Sequence, residues 1–461
     1  MFRSTTAPTA DGLPRRERLE AITAISLTVA MANLDGAIAN TGLPTIAGDL
    51  GSNGAAAIWV VNAYQIAMLA ALLPLASLGE IVGHRRIYVI GLVLFTATSL
   101  ACGLAWSLPS LVVARALQGL GAAAIMSVNA ALVRFSYPAS MLGRGVGLNA
   151  LAVAIGFTAG PTVASLVLSV ASWHWLFLIN VPVGLLAIWF SLRSLPATPR
   201  ASHAFDGVSA LLCAALFAAL ALAIGEATHG AHAVAAALGL IALACGGALL
   251  RRQSGHPAPM LALDLFRLPV FALSGATALC SFATQGLAFV ALPFLLQAAL
   301  GRSQVATGFL ITPWPAVVGI MAPIAGWLSD RYPAGILGGV GLLILSAGMA
   351  VTALLPGDAT TAEIAGAMAL CGAGFGFFQS PNLRALMASA PPARSGAASG
   401  IVAAARLLGQ TCGVALVALC LNLSSARGPE LALWLGCGFS AAGSLTSFLR
   451  LVAARPRLRR P

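Results

Sequence analysis

The chain contains no lysine. All 25 of its basic residues are arginine, and only 13 acids oppose them, which leaves a net charge of +12. Charged residues make up 8% of the 461 positions, against about a quarter in an ordinary soluble domain. The polar shell that a water-soluble globule needs is therefore missing. A nucleic-acid binder clusters its basic residues on one soluble face. Here the arginines sit in short gaps between apolar runs, which excludes that class. The eight cysteines (Cys102, Cys213, Cys245, Cys280, Cys371, Cys412, Cys420 and Cys437) all fall in apolar stretches, with no Cys-x2-Cys pair or other metal-ligand spacing. They read as small buried hydrophobes, and no metal or cofactor is expected. No cluster of nucleophiles, acids and metal ligands converges, as an embedded enzyme would require. A soluble output domain, the mark of a sensor, is not in evidence either. The first 20 residues are polar and the apolar run after them is too long for a signal-peptide core, so the first span is expected to be retained.

What the chain has in abundance is long apolar sequence: 59% of residues are hydrophobic and the mean hydropathy is +0.93. Segments of about 20 apolar residues, each able to cross a bilayer as a helix, recur fourteen times, the first at 21–46 and the last at 431–451. The arginines test this count through the positive-inside rule. With a cytoplasmic N-terminus, 20 arginines fall in gaps and tails on the cytoplasmic side, 2 on the opposite side and 3 within spans. Adding or losing one span would exchange every loop downstream and spoil the asymmetry. The expectation is an even number of spans in a bacterial cytoplasmic (inner) membrane, with both termini cytoplasmic.

The chain also repeats. Ala76-Ser77-Leu78-Gly79-Glu80 follows the second span, and Gly326-Trp327-Leu328-Ser329-Asp330 follows the tenth, at an offset of 250 residues. Two six-span halves account for this: 1–194 as an N-terminal six-helix bundle and 269–461 as a C-terminal one, with 195–268 an inserted two-helix segment and its linkers. Transporter folds carry such repeats, with the substrate site at the repeat interface.

Asp35 lies well inside the first span, where an ionised acid costs at least ~2.5 kcal/mol. A chain that keeps such a group has a partner, a proton or a use for it. Arg115, in the outer half of the fourth span, lies at a depth within its reach. The plainer alternatives are a fixed structural ion pair for Asp35 and an Arg115 side chain that snorkels to the outer interface. Gly156, Gly160 and Pro161 in the fifth span read as close-packing and bending positions. Ser172–Pro182, with Trp173, Trp175 and Asn180, reads as an aromatic interface belt. In the second half Gln285, Trp314, Gln379 and Asn382 are candidates to line a substrate cavity, as are Asn40, Gln118 and Phe157 in the first. Trp314 is suited to stacking on a flat cation. The second half has no acid in mid-span.

These stretches resemble the major facilitator superfamily, and within it the fourteen-span drug:proton antiporters of the EmrB/QacA type. Leu34-Asp35-x4-Asn40-x2-Leu43-Pro44 looks like that family's first-span signature, whose acid is tied to proton coupling and cation recognition. Ala76–Arg86 resembles the superfamily's gating loop, which includes Glu80, Arg85 and Arg86; Ala76, Glu80, Ile81 and His84 depart from its usual residues. Gly326–Arg331, with Asp330 and Arg331, is a closer copy. The stretch from Arg115 resembles the fourth-span motif of proton transfer. Gly147-x8-Gly156-x3-Gly160-Pro161 resembles the antiporter motif, with Ala164-Ser165 in place of two glycines. The resemblance implies an all-α integral membrane protein of the major facilitator fold, two six-helix bundles plus an inserted pair. It implies proton-coupled efflux of lipophilic, cationic compounds. A small-molecule substrate, protons and membrane lipid are the expected partners, a periplasmic adaptor is an open one, and the protein is expected to be a monomer. A dedicated exporter of one metabolite or antibiotic is the alternative, and a membrane-embedded enzyme or sensor a remote one.

Overall fold

In the computed structural model, the structure describes residues 12–138, 141–198, 200, 204–228, 230–253, 263–329, 331–389, 395–424 and 427–453. Among these residues there is no strand, and fourteen helices are long and apolar enough to cross a membrane. We number them α1 (Arg15–Asp49), α2 (Gly54–Val82), α3 (His84–Gly103), α4 (Leu108–Ser136), α5 (Leu142–Val170), α6 (Trp175–Ser194) and α7 (Gly207–Thr228). The remainder are α8 (His232–Gln253), α9 (Pro269–Ala299), α10 (Gln304–Leu328), α11 (Ala334–Ala353), α12 (Thr361–Ser389), α13 (Ser395–Leu423) and α14 (Gly428–Ala453).

Local chemistry sets the ends and irregularities. Ser107 caps α4, exchanging hydrogen bonds with Ser110 three residues on, which satisfies donors left open in a first turn. α2 stops at Gly83, whose φ of +106° suits only glycine, and α3 begins one residue later. α6 slips at Ile179 and α10 at Thr312. Pro182 follows the first slip and Pro313 the second, and a proline ring cannot lie against the carbonyl four residues back in a regular helix.

The chain forms two compact units, Met1–Met260 and Leu261–Pro461. In the first, α1 packs on α5 and α6, α4 on α2 and α3, and α3 on α6. In the second, α9 packs on α13 and α14, α12 on α10 and α11, and α11 on α14. The two schemes are the same after a shift of eight helices. The glycines register the repeat residue by residue. Gly119 admits the backbone of Tyr64, and Gly372 admits that of Trp314; Gly121 meets Gly91 and Phe95, and Gly374 meets Gly341 and Leu345. Side chains at those glycines would overlap backbone, so α2–α4–α3 and α10–α12–α11 share one close-packed geometry.

The inserted pair belongs to the first unit: α7 packs on α2 and on α8. Asp206, ahead of α7, accepts from Arg252 at the end of α8 (3.1 Å) and from the Ser209 hydroxyl (2.6 Å). The Arg252 guanidinium and the Ser209 bonds hold its carboxyl well below the usual carboxylate range.

Candidate functional site

Five helices of the first unit converge on Asp35, whose side chain is fully buried. Its Oδ2 accepts from Arg115 Nη1 at 2.6 Å. Its Oδ1 accepts from Gln118 Nε2 at 3.0 Å and from Asn180 Nδ2 at 2.7 Å. Arg115 and Gln118 stand three apart on α4 and therefore share a face. The same Nη1 of Arg115 also donates to Gln118 Oε1 at 2.6 Å, and Gln118 Nε2 donates to Ser99 Oγ of α3 at 2.8 Å. Arg115 Nε donates to the Val60 carbonyl of α2 at 3.1 Å. The guanidinium lies 4.2 Å from the centre of the Tyr64 ring and 5.5 Å from that of Phe177. A buried charge is tolerated only when paired and hydrogen-bonded, and here both members are. The Asn180 Oδ1 is buried and has no hydrogen-bond partner among the described residues.

The fold brings this group together through α1's neighbours. Gly156 and Gly160 of α5 face Ala30 and Ala37 of α1, and a methyl at either would overlap them; Pro161 follows within α5. The slip at Ile179 starts the main part of α6 at Asn180 and so turns that amide into the interior. Asn180 is the residue that sequence reasoning missed. Its stretch reads as an interface belt, yet Trp173 and Phe177 are buried and Trp173 Nε1 donates to Asp49 at 2.6 Å, while Trp175 alone of the three is exposed. The available signal was Pro182, which marks a helix restart.

The remaining candidates are dispersed. Asn40 and Phe157 are half-buried, and the Asn40 Oδ1 has no partner among the described residues. In the second unit Gln285 accepts from Gln410 at 2.9 Å. Trp314 is buried edge-on to Phe289, with its Nε1 unpartnered among the described residues. Gln379 is half-buried. Asn382 is buried for a different purpose, accepting from Arg450 Nη1 at 2.8 Å and donating to the Ser274 carbonyl. Arg450, which the sequence places among the loop charges, is buried in α14 and held, among the described residues, by neutral acceptors: Ser274, Asn382, Ser447 and the Ala334 carbonyl. Glu80 and Arg86 are exposed and form no ion pair among the described residues, whereas Arg85 donates to the Leu192 carbonyl at 2.6 Å. Arg331 lies 4.2 Å over the Trp327 ring, and Asp330 lies outside the described residues.

The repeat shows what the second unit lacks. Arg115 and Gln118 stand four and one residues before Gly119; Met368 and Cys371 stand four and one before Gly372. Gly156 meets the Ala30 carbonyl five residues before Asp35; Gly409 meets the Leu279 carbonyl five residues before Thr284. The set of Asp35, Arg115 and Gln118 thus has an uncharged counterpart in Thr284, Met368 and Cys371, all buried.

Residues 25–414 match the model of the Major Facilitator Superfamily. Over 97% of its length the chain is 48% identical to the Uncharacterized transporter YebQ of Escherichia coli, 99% of which is covered. It is 30% identical to the Riboflavin transporter RibZ of Clostridioides difficile (85% of each chain). It is 34% identical to the Multidrug resistance protein Stp of Mycobacterium tuberculosis (87% of this chain, 75% of Stp). A crystal structure of a bacterial homolog of the human lysosomal transporter Spinster superposes with a TM-score of 0.68 at 15% identity, covering 96% of this chain and 98% of that one.

Proposed function

The chain belongs to the Major Facilitator Superfamily, and from that premise we propose that this multi-pass membrane transporter is a proton-coupled efflux antiporter of the fourteen-span EmrB/QacA type. It moves lipophilic, cationic compounds out across the bacterial cytoplasmic membrane, with both termini on the cytoplasmic side. The observation that carries the reading is the buried Asp35–Arg115 ion pair, with Gln118 and Asn180 closing the carboxylate's remaining positions. Neutral side chains would pack the same space at lower cost, so a charge kept there points to use. A proton taken by Asp35 removes the negative partner of Arg115. The guanidinium then keeps neutral acceptors only among the described residues, the Asp35 carboxyl oxygen, the Val60 carbonyl and Gln118, and a buried cation without its counter-charge is drawn toward water or an anion. Protonation is thereby linked to a rearrangement of α1 against α4, and by reciprocity the cargo that favours one arrangement shifts the proton affinity of the acid. The arginine imbalance supports the orientation, and the likeness to Stp supports the drug-export reading.

A second reading is a dedicated exporter of one compound. It is favoured by the same ion pair, because Arg115 cancels the charge that a cationic cargo would seek. The test is transport in proteoliposomes. Asp35→Asn should abolish extrusion of a lipophilic dication driven by an imposed pH gradient; extrusion at the normal rate would refute proton coupling through Asp35. A resistance panel of dyes and biocides in a sensitive host, with and without a protonophore, separates broad from dedicated export.

A further inference from the structure

A cavity of about 450 Å³ lies where the start of α3, the end of α6 and the linker beyond α6 meet. The arginine distribution assigns this end of the unit to the cytoplasmic side. Arg85, Arg86, Arg200 and Thr198 supply its polar lining, and Val89, Ile90 and Leu192 are among its apolar walls. No acid lines it. The acids nearest along the chain are Glu80, which is exposed, and Asp206, which is committed to Arg252. Arg86 and Arg200 are exposed and form no ion pair among the described residues. The scaffold beneath them is fixed: Arg85 donates to the Leu192 carbonyl, and the His84 backbone N–H donates to Thr198 Oγ1 at 2.9 Å.

The apolar walls do not end at the cavity. Ile90 continues along α3 through Val93, and Leu192 continues along α6 through Trp189 and Leu185; all five are exposed large hydrophobics. An occupant must therefore be anionic at one end and apolar along the rest. Free phosphate satisfies the first demand only. The repeat does not reproduce the feature, since the positions 250 residues beyond Arg85 and Arg86 are Gly335 and Ile336.

We propose that this cavity binds the headgroup phosphate of an anionic phospholipid from the cytoplasmic leaflet, with an acyl chain lying along the α3–α6 surface. Bound there, the lipid ties the α2–α3 turn to the α6–α7 linker. The proposal stands whatever the transported compound is.

The test uses the full chain in neutral detergent and native mass spectrometry to follow binding of dioctanoyl phosphatidylglycerol, dioctanoyl phosphatidylcholine and inorganic phosphate. The wild type should prefer the glycerol lipid to the choline lipid, and free phosphate should not displace it. The Arg86→Ala/Arg200→Ala variant should bind the glycerol lipid roughly thirtyfold more weakly, since each basic group near a lipid surface contributes about a factor of five. Arg86→Lys/Arg200→Lys should retain most of the affinity. Ile90→Trp, which fills the groove and keeps every charge, should weaken binding of the lipid. Unchanged affinity in the alanine variant, equal binding of the two lipids, or displacement by phosphate at comparable concentration would overturn the proposal. Should the alanine variant fail to fold, Ile90→Trp decides alone, and wild-type affinity there refutes the lipid.

Discussion

Replacing Asp35 and Arg115 by leucine, singly and together, measures the ion pair directly. Asp35→Leu leaves the guanidinium with the Val60 carbonyl, Gln118 Oε1 and the Tyr64 and Phe177 faces, all neutral. Arg115→Leu leaves the carboxylate with the Gln118 and Asn180 amides. Each single change strands a buried charge and should cost ~3–5 kcal/mol of unfolding free energy. In the double variant no charge remains. Its cost is the desolvated ends of Gln118 and Asn180, ~1–3 kcal/mol each, with Gln118 still bonded to Ser99. The two amide ends together come to ~2–6 kcal/mol, against ~6–10 kcal/mol for the two single costs summed, so the double variant should be about as stable as either single one, a coupling of ~4 kcal/mol. Denaturant titration in mixed micelles reads these values. Costs that add to within ~0.5 kcal/mol would show that the two groups do not act as a unit and refute the reasoning. Transport should stay abolished in the double variant although no buried charge is left stranded, which separates the structural from the coupling role.

Asn180→Leu should lower dye efflux while the protein stays monodisperse, because it removes one of the three donors to Asp35; efflux at the wild-type rate would show that this donor is dispensable. Gly156→Val should destabilise by at least ~1–3 kcal/mol through overlap with α1, whereas Gly239→Ala, on α8 with open space around it, should stabilise slightly; melting temperatures compare the two. Asp206 is held below its usual range, so its stabilising effect is present above about pH 4, its unfolded value, and is lost as pH falls toward the folded one. Arg252→Ala should flatten that acid dependence in a thermal melt series, with less than about 1 kcal/mol lost at neutral pH because the pair is partly exposed.

The fourteen spans were legible because a bilayer demands long apolar runs, and arginine placement fixes their parity. The meeting of Asp35 with Arg115 was legible from depth alone, since helix rise converts position into height. Gln118 could be placed near them by its spacing from Arg115. Asn180 was hidden by aromatic neighbours that imitate an interface girdle, and Pro182 alone signalled the local restart of α6 that decides where the amide points. Arg450 was misread for a related reason: an arginine at a helix end looks like a loop charge until Ser274, Asn382 and the Ala334 carbonyl, from three other helices, are seen around it. Those acceptors lie 68 to 176 residues before it in sequence, and only packing collects them. The cavity formed by Arg85, Arg86 and Arg200 was hidden likewise, because Arg200 belongs to a linker whose sequence carries no periodic signal.

Thr284, Met368 and Cys371 occupy in one bundle the stations that Asp35, Arg115 and Gln118 hold in the other. The second set carries no charge at these three stations. Tolerance of substitution should divide accordingly: at the uncharged stations a neutral replacement that keeps the packing strands no ion, whereas at Asp35 or Arg115 any neutral replacement does.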